Sequence, residues 1–268
     1  MDLQLRNQVS VIVGGASGIG KAIAEAFCLE SAVAVLADRR PDTEPIADQV
    51  ATRCNGTAAA IVLDATDFTA VQAAATEVVT RFGGCDHVVY AAGVGSGKFG
   101  FPFWELRPAD WPRVLDVNLL GAVNVAHAFQ PSLSAAAGTL TFLSSVAGQI
   151  GSQTDPPYSA SKAALINFAQ CAARDFAADG VRVNVLCPGM VKTTLNHGVY
   201  EAWAARQPTE TRISYDEWTA EKIRKLVPLG RWQEPEDLAA LAVFLASPRA
   251  KNITGQTINV DGGYVMHW

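Results

Sequence analysis

The sequence has no apolar run long enough to cross a bilayer, because its longest one extends only from Leu238 to Ala246. The first residues, MDLQLRNQVSVIVGG, lack the basic start, apolar middle and cleavage site of a secretion signal. The 5 cysteines show no C-x-x-C spacing, so neither a disulfide framework nor a zinc site is predicted. A basic excess is also missing, since the net charge is −5. We therefore expect a cytoplasmic protein that binds neither nucleic acid nor a membrane.

No linker, repeat or low-complexity tract divides the 268 residues, of which 49% are hydrophobic and 18% charged, as in globular proteins. Short apolar runs alternate with alanine-rich stretches of helical length. Such runs are typical of parallel strands buried on both faces. The alternation predicts an α/β fold: a single doubly wound Rossmann-type domain over residues 1–268, with a mainly parallel seven-stranded sheet and helices on both faces.

The predicted strands are Val9–Val13, Val33–Ala37, Ala59–Leu63, His87–Ala91, Thr139–Leu143, Val181–Leu186 and Gln256–Val260. The predicted helices lie near Gly18–Glu30, Ala70–Phe82, Trp111–Phe129, Tyr158–Ala178 and Pro235–Ala246. The segment Thr193–Gly230 breaks this rhythm, because it is long, polar and rich in aromatic residues. Segments of that length in a compact domain are usually functional.

A glycine-rich turn follows the first predicted strand in VIVGGASGIGKAIAEAF, with Gly14, Gly18 and Gly20 ahead of a helix. Glycines permit a tight turn, and a helix N-terminus holds a pyrophosphate, so the pattern indicates a dinucleotide site. Asp38 ends the second strand, where a carboxylate binds the adenosine ribose and repels a 2′-phosphate. Arg39 is able to pair with a 2′-phosphate. We expect NAD as cofactor, with NADP as the alternative.

Tyr158 and Lys162 lie four positions apart, and Ser145 precedes Tyr158 by thirteen. Residues at i and i+4 share a helix face, so the phenol and the ammonium point into the same space. Taken alone, the pair also fits an exposed tyrosine beside a solvated lysine. The rest of the sequence decides between these interpretations.

Together these motifs resemble the classical short-chain dehydrogenase/reductase family over essentially the whole chain. The family's Gly-x-x-x-Gly-x-Gly matches the glycines above, and its Tyr-x-x-x-Lys matches Tyr158 and Lys162. Its serine and asparagine match Ser145 and Asn118, which complete the implied catalytic set. The resemblance implies cofactor contacts at Gly14, Ser17, Gly18, Ile19, Gly20, Asp38, Arg39, Asp64, Ala65, Ala92, Gly93, Tyr158, Lys162, Pro188, Gly189, Val191 and Thr193.

The sequence departs from the family pattern at two places. Val13 stands where a threonine usually precedes the first glycine. Tyr90 and Ala91 stand where two asparagines usually precede Ala92 and Gly93. Because those asparagines normally bond neighbouring backbone, the departures bear on local sheet bonding and not on the chemistry.

The resemblance implies that Tyr158 is general base in alcohol oxidation and general acid in ketone reduction. Deprotonating a phenol at pH 7 costs roughly 4 kcal/mol. Lys162 is expected to lower the pKa of Tyr158 and to hold the nicotinamide ribose. Ser145 is expected to bind the substrate oxygen, and Asn118 to anchor a water that relays protons.

These roles predict hydride transfer between NAD(H) and a secondary alcohol or ketone. A polyol, a sugar or another small hydroxylated compound is the favoured substrate, because Gln149, Gln153, Asp155 and His197 place polar groups around the expected pocket. One alternative is an NADPH-dependent 3-oxoacyl-thioester reductase. The second is a dinucleotide-binding sensor without turnover, whose signature would be an incomplete catalytic set.

The segment at about 193–230 is expected to form a substrate lid that is mobile in the free enzyme and becomes ordered with NAD and substrate. The other interpretation is a permanently folded helical insertion. Expected substrate contacts are Ser145, Gln153, Tyr158 and Trp203. The four histidines, His87, His127, His197 and His267, show no metal-ligand spacing, so no metal site is predicted.

Small residues are frequent on the helices that carry Asn118 and Tyr158, in GAVNVAHAF and SASKAALINFAQCAARDFA. In the family these helices pack against their counterparts in a second subunit, and small side chains allow that close approach. We therefore expect a homotetramer, with a dimer as the alternative.

Overall fold

Seven parallel strands form a single sheet in the computed structural model, which describes residues 1–151 and 155–267. The strand order is β3-β2-β1-β4-β5-β6-β7, and each of these pairings is parallel. The chain builds outward from β1 and then crosses back to β4, which creates a switch point between these two strands. The strands are β1 (Val9–Val13), β2 (Val33–Asp38), β3 (Thr57–Val62), β4 (His87–Tyr90), β5 (Thr139–Leu143), β6 (Arg182–Pro188) and β7 (Thr257–Val260).

The predicted doubly wound α/β fold is confirmed, and β1 and β5 have the predicted bounds. The largest shifts, of two residues at one end, are in β6, which was expected at Val181–Leu186 and lies at Arg182–Pro188, and in β3, which was expected at Ala59–Leu63 and lies at Thr57–Val62. The bounds of β3 follow the ladder with β2, in which Val33 pairs with Thr57. A strand ends where its hydrogen-bond partners end, and the apolar run only approximates that point.

Nine α-helices connect and cover these strands in the described part of the chain. They are α1 (Gly18–Leu29), α2 (Thr43–Cys54), α3 (Phe68–Phe82), α4 (Pro112–Leu115), α5 (Gly121–Ala136), α6 (Pro156–Asp175), α7 (Thr194–Ala204), α8 (Tyr215–Leu226) and α9 (Pro235–Ala246). The helix expected at Trp111–Phe129 is divided, because a π-helical turn over Asp116–Leu120 separates α4 from α5. None of the helices in the described residues is long and apolar enough to span a membrane.

Helix α2 was not predicted. Its sequence, TEPIADQVATRC, has a proline in the first turn and few apolar residues, so its helical periodicity is weak. Proline is tolerated in a first turn, where its missing N–H has no helical partner. Ala47 and Val50 are the residues that α2 buries in the core on one face of the sheet. Tertiary packing therefore stabilises a helix whose local sequence signals it poorly.

Two hydrophobic cores lie on opposite faces of the sheet. One packs β-strand residues against α3, α5 and α6, and the other packs them against α1, α2 and α9. Val11 and Val13 of β1 join the first core, whereas Ile12 between them joins the second. Successive side chains of a strand point to opposite faces. Both faces of the central strand are thus covered, which explains its uninterrupted apolar sequence.

The segment 193–230, which was expected to form the lid, contains two helices, α7 and α8. Tyr200, Trp203, Tyr215 and Trp218 are joined by ring contacts between these helices, and Trp218 is only 5% exposed. The two helices therefore share a small aromatic core of their own. The mobility of the segment 193–230 in solution stays a prediction.

Candidate active site

A cleft of about 1010 Å³ opens at the carboxyl ends of β1, β2, β4 and β5. Most predicted cofactor residues line it: Gly14, Ser17, Gly18, Ile19, Gly20, Asp38, Arg39, Asp64, Ala65, Ala92, Gly93, Tyr158, Lys162, Pro188 and Thr193. The remaining two, Gly189 and Val191, line a neighbouring cleft of about 450 Å³ together with Pro188 and Thr193. The predicted cofactor residues therefore converge on one continuous region.

The glycine-rich turn brings backbone segments closer together than any larger residue would allow. Gly14 has a φ of +81°, and an added Cβ there would lie 2.6 Å from the backbone nitrogen of Ala92. An added Cβ on Gly20 would collide with the carbonyl oxygen of Gly14. Ser17 precedes α1 in extended conformation, so the first N–H groups of the helix face the cleft. This cradle fits the pyrophosphate of a dinucleotide.

At the adenosine end of this cleft, Asp38 lies beside two arginines, Arg39 and Arg40. Asp38 accepts hydrogen bonds from the N–H groups of Ala16 at 3.1 Å and Arg40 at 3.2 Å. Arg40 pairs with Asp42 at 2.6 Å. Arg39 lines the cleft next to Asp38 and is exposed. Backbone N–H groups thus fix the carboxylate of Asp38. The guanidinium of Arg40 is paired with Asp42.

Asp64 lies at the same end of the cleft, as predicted from the motif. Thr66 donates hydrogen bonds to its carboxylate from the backbone N–H at 2.9 Å and the hydroxyl at 2.7 Å, and these bonds lower the pKa of Asp64. The carbonyl of Ala65 accepts a hydrogen bond from Asn124 at 3.0 Å. Both residues are therefore held by local bonds at the cleft wall.

Lys162 points its ammonium into the site from α6. It is 3% exposed, and its Nζ donates to the carbonyl oxygen of Leu143 at 2.7 Å. It lies 5.6 Å from the ring centroid of Tyr158. Burial lowers the pKa of Lys162 to about 8. Lys162 is therefore buried and Tyr158 is half-buried, and the interpretation as a solvated surface pair is wrong.

Tyr158 lies where the two clefts meet, and it lines both of them. Burial raises the pKa of Tyr158 to about 12, while a hydrogen bond from Ser145 acts in the opposite direction. The lowered pKa that was expected from Lys162 is therefore not present in the protein alone. Desolvation disfavours the phenolate more than its neighbours favour it.

Asn118 lies in the π-helical turn and is fully buried. Its Oδ1 accepts from the N–H of Val94 at 2.8 Å, and its Nδ2 donates to the carbonyl of Val94 at 3.0 Å. Nδ2 also donates to Oγ of Ser161 at 2.9 Å, and Ser161 in turn donates to the carbonyl of Tyr158 at 2.7 Å. The side chain thus joins the segment after β4 to the helix that carries Tyr158 and Lys162.

The departure at Tyr90 has a structural counterpart. The Tyr90 side chain is fully buried, and its hydroxyl donates to the carbonyl of Val117 in the π-helical turn. The N–H of Ala91 donates to the carbonyl of Val13 at 2.8 Å. The phenol of Tyr90 therefore ties the end of β4 to the turn that holds Asn118.

The second cleft begins at Tyr158 and Ser145 and extends under α7 and α8. Trp218 and Lys222 of α8 line it, as does Asp155 at the start of α6. Trp203 is not among its described lining residues, and its ring contacts those of Tyr200 and Trp218. Gln153, the other expected substrate contact, lies outside the described residues.

Two further polar residues expected near the substrate have other partners. Gln149 exchanges hydrogen bonds with Asn259 at 2.7 and 2.9 Å. His197 pairs with Glu201 at 3.1 Å on the exposed side of α7. Of the four polar residues that suggested a hydroxylated substrate, only Asp155 is described at the pocket.

Sequence reasoning missed several groups at the site. The carbonyl of Leu143 carries no side-chain signal, so its bond to Lys162 was not predictable. Ser161, one of the small hydroxyl residues between Tyr158 and Lys162, was visible but had no assigned partner. Lys222 lines the pocket, and no motif in the sequence indicated a role for it there. In the described part of the chain, no cluster of three or more metal-ligating side chains occurs.

Comparison with known proteins agrees with these features. A family model described as enoyl-(acyl carrier protein) reductase matches residues 14–265. Meso-2,3-butanediol dehydrogenase of Serratia marcescens is 34% identical over 262 residues, covering 97% of this chain and 96% of the relative. The 3-oxoacyl-acyl-carrier-protein reductase of Thermotoga maritima is 31% identical over 265 residues, covering 98% and 100%. The crystal structure of L-sorbose reductase from Gluconobacter frateurii, complexed with NADPH and L-sorbose, has a TM-score of 0.91 and 28% identity over the full length of both chains.

Proposed function

The chain belongs to the short-chain dehydrogenase/reductase family, and we propose that it is an NAD(H)-dependent dehydrogenase of small polyols or sugars. It is an oxidoreductase of the secondary alcohol/ketone type. The observation that carries the proposal is the position of Tyr158, which lines both the dinucleotide cleft and the smaller pocket. A proton donor at that junction meets the carbinol oxygen of any substrate whose carbon faces the cofactor.

In this proposal the nicotinamide dinucleotide supplies or accepts the hydride when it is bound. Tyr158 takes the hydroxyl proton in oxidation and returns it in reduction. Ser145 donates a hydrogen bond to the same substrate oxygen and stabilises its developing charge. Lys162, whose pKa is lowered to about 8 by burial, takes over the proton from the phenol in oxidation and supplies it again in reduction.

Asn118 supports Tyr158 and Lys162 by fixing the position of the helix that carries them. Its amide is engaged by Val94 and Ser161, so we assign it the role of holding the Tyr158 helix against the cofactor cleft. The expected water relay would have to use the backbone of the π-helical turn, because both Nδ2 hydrogens already have acceptors. π-Helical turns are frequent at functional sites.

The preference for NAD rests on Asp38. Its carboxylate is held by two backbone N–H groups at the place where a 2′-phosphate would lie. The L-sorbose reductase structure contains NADPH, and Arg39 is a cation that NADP could use. We favour NAD because two hydrogen bonds hold the carboxylate of Asp38, whereas the side chain of Arg39 is exposed.

The strongest alternative is a 3-oxoacyl-thioester reductase, the activity in the name of the Thermotoga relative. A sensor without turnover is disfavoured, because Asn118, Ser145, Tyr158 and Lys162 are all present. We also propose a homotetramer in the cytoplasm. Free thiols at all five cysteines are compatible with a reducing compartment.

The test is NADH formation with a panel of secondary alcohols and polyols, together with NAD(P)H consumption with ketoses and 3-oxoacyl thioesters. Tyr158→Phe is the control, since it keeps the ring and removes the proton donor. Faster turnover of thioesters with NADPH would favour the alternative. No turnover in either direction would leave the sensor, and a monomeric mass by light scattering would exclude the tetramer.

A further inference from the structure

Four buried side-chain oxygens have no hydrogen-bond partner among the described residues: Asp155 Oδ1, Asn196 Oδ1, Gln233 Oε1 and Thr257 Oγ1. Two of these, on Asp155 and Asn196, belong to residues that line the pocket beyond Tyr158. A buried acceptor without a donor is costly, and such groups are rare in native structures. Two in one pocket indicate that a ligand supplies the missing donors.

Asp155 stands at the start of α6, three residues before Tyr158, and its side chain is 3% exposed. The N–H of Ser96 donates to Oδ2 of Asp155 at 2.8 Å, so this oxygen makes a structural hydrogen bond. Oδ1 has no hydrogen-bond partner among the described residues, although the backbone N–H of Tyr158 is close enough to favour the carboxylate form. Burial raises the pKa of this carboxyl group. Asp155 therefore keeps a fixed orientation and has one acceptor left for the pocket.

Lys222 adds a donor to the same pocket. Its Nζ lies 4.0 Å from the ring centroid of Trp218, and burial lowers its pKa. No ion pair forms between Lys222 and a carboxylate in the described ranges. The polar lining around Tyr158 thus offers two acceptors and one cationic donor. The rest of that lining is largely apolar, with Phe99, Ile150 and Val199 among its members.

The charges select among possible substrates. A substrate carboxylate would pair with Lys222 but would be repelled by the carboxyl group of Asp155 in the same pocket. An ammonium would pair with Asp155 but meet Lys222. A hydroxyl both donates and accepts, so neighbouring hydroxyls satisfy all three groups without a net charge.

We propose that Asp155 and Asn196 are the specificity residues of the pocket, which accept hydrogen bonds from hydroxyls next to the reacting carbon of a neutral polyol. Lys222 donates to one of the same hydroxyls. This inference rests on the proposed oxidation of secondary alcohols and names the residues that restrict it to vicinal polyols. A site built to bond a hydroxyl rejects the analogue that lacks it, because its own polar groups are then left without partners.

The first experiment compares four-carbon substrates at one cofactor concentration. The neutral set is 2-butanol, 2,3-butanediol and butane-1,2,3,4-tetrol, and the charged set is 3-hydroxybutanoate and 3-amino-2-butanol. We expect kcat/KM for the diol and the tetrol to exceed that for 2-butanol by about tenfold or more. We expect both charged compounds to fall below the diol by about tenfold. A charged compound that matches or exceeds the diol would overturn the proposal.

The second experiment assigns the effect to residues. Asp155→Asn keeps an oxygen for the Ser96 N–H and places the amide NH2 group where Oδ1 was. The acceptor that faces the pocket is thereby replaced by a donor. We expect the diol to 2-butanol ratio of kcat/KM to fall about tenfold in Asp155→Asn and about three- to tenfold in Asn196→Ala. Val199→Ala is the matched control, because it changes the volume of the same pocket without a polar atom, and its ratio should move less than about threefold.

Tryptophan fluorescence quenching by NADH verifies that each variant still folds and binds cofactor. Asn196 lies on α7, away from the start of α6, so a folding defect in Asp155→Asn would leave the Asn196→Ala result decisive. Equal losses for diol and 2-butanol in both variants would refute the assignment. If wild-type protein oxidises 2-butanol as well as the diol, the inference fails while the dehydrogenase function stands. If it oxidises neither and reduces no ketone, the proposed function itself fails.

Discussion

Asn118 and Val94 are joined by a pair of hydrogen bonds, one in each direction, with N···O distances of 2.8 and 3.0 Å. The pair closes the segment after β4 onto the π-helical turn. Gly93 lies beside it, since an added Cβ there would be 3.3 Å from Nζ of Lys162. The hydrogen bonds between Asn118 and the backbone of Val94 thus fix the position of the backbone segment next to the ammonium of Lys162.

Asn118→Ala should destabilise the protein by about 2–4 kcal/mol, because it removes a fully buried amide together with its three hydrogen bonds to Val94 and Ser161. Thermal unfolding measures the loss. Asn124→Ala is the control, since Asn124 also lines the cofactor cleft but its amide makes a single hydrogen bond among the described residues, to Ala65. A change in activity without any change in the melting temperature would show that Asn118 acts in the chemistry alone.

The pH dependence of turnover should follow the titration of Lys162, whose ammonium lies beside Tyr158. Oxidation requires that the site accept a proton, and burial lowers the pKa of Lys162 to about 8. We expect kcat/KM for oxidation to rise about tenfold per pH unit below about pH 8 and to level off above it. Reduction should show the reverse trend. A flat profile from pH 6 to 9 would contradict this assignment, and Tyr158→Phe should lose activity at every pH.

Lys162 should also make the fold more stable at alkaline pH. Its pKa falls from 10.5 to about 8 on folding, so between these values the unfolded chain binds more protons than the folded one. The free energy of unfolding should therefore rise with pH across this window, by about 3 kcal/mol from this group. Urea unfolding at pH 7.5, 9 and 10.5 measures the rise. Lys162→Met should abolish that part of the slope, and an unchanged slope would contradict the argument.

Asp38 should set the cofactor preference. Repulsion of a 2′-phosphate at a partly exposed site is worth roughly 1–3 kcal/mol, which corresponds to a ten- to hundredfold preference for NAD(H). Asp38→Ser should relax it. Asp38→Asn is the sharper variant, because it removes the charge and retains an oxygen for the N–H of Ala16. Equal or higher kcat/KM with NADP(H) in the wild type would refute the prediction.

The helical segment 193–230 should become ordered when cofactor and substrate bind. We expect hydrogen exchange in α7 and α8 to slow with NAD and substrate together, since this segment continues directly from the cofactor residue Thr193. Equal and strong protection in the free and bound enzyme would mean a fixed wall.

Arg206 is the contact that should favour the closed position of this segment. It donates to the carbonyls of Phe99 at 2.6 Å and Gly100 at 3.0 Å, and its guanidinium lies 4.5 Å from the ring centroid of Phe101. Phe99 lines the substrate pocket. Arg206→Ala should raise KM for substrate about three- to tenfold and leave NAD binding unchanged. Lys225→Ala, an exposed charge on α8, serves as control. Equal KM values in the two variants would remove Arg206 from this role.

Much of the site follows from local sequence. The spacing of Tyr158 and Lys162 places both side chains on one helix face, and the glycines from the end of β1 to the first turn of α1 specify a turn that only a small residue can make. Apolar runs identified all seven strands, because a strand buried on both faces has to be apolar throughout. These features depend on periodicity and backbone geometry, which the sequence carries within a few residues.

Tertiary structure decided the rest. The partner of Asn118 lies 24 residues away in the chain, and Asp155, Asn196 and Lys222 meet in one pocket although they come from three different helices or their ends. Trp218, and not Trp203, lines that pocket because the packing of α7 on α8 selects which helix face is buried. Helix α2 is stabilised by the core it covers. Contacts between distant segments depend on how helices and strands pack, and no local pattern contains that information.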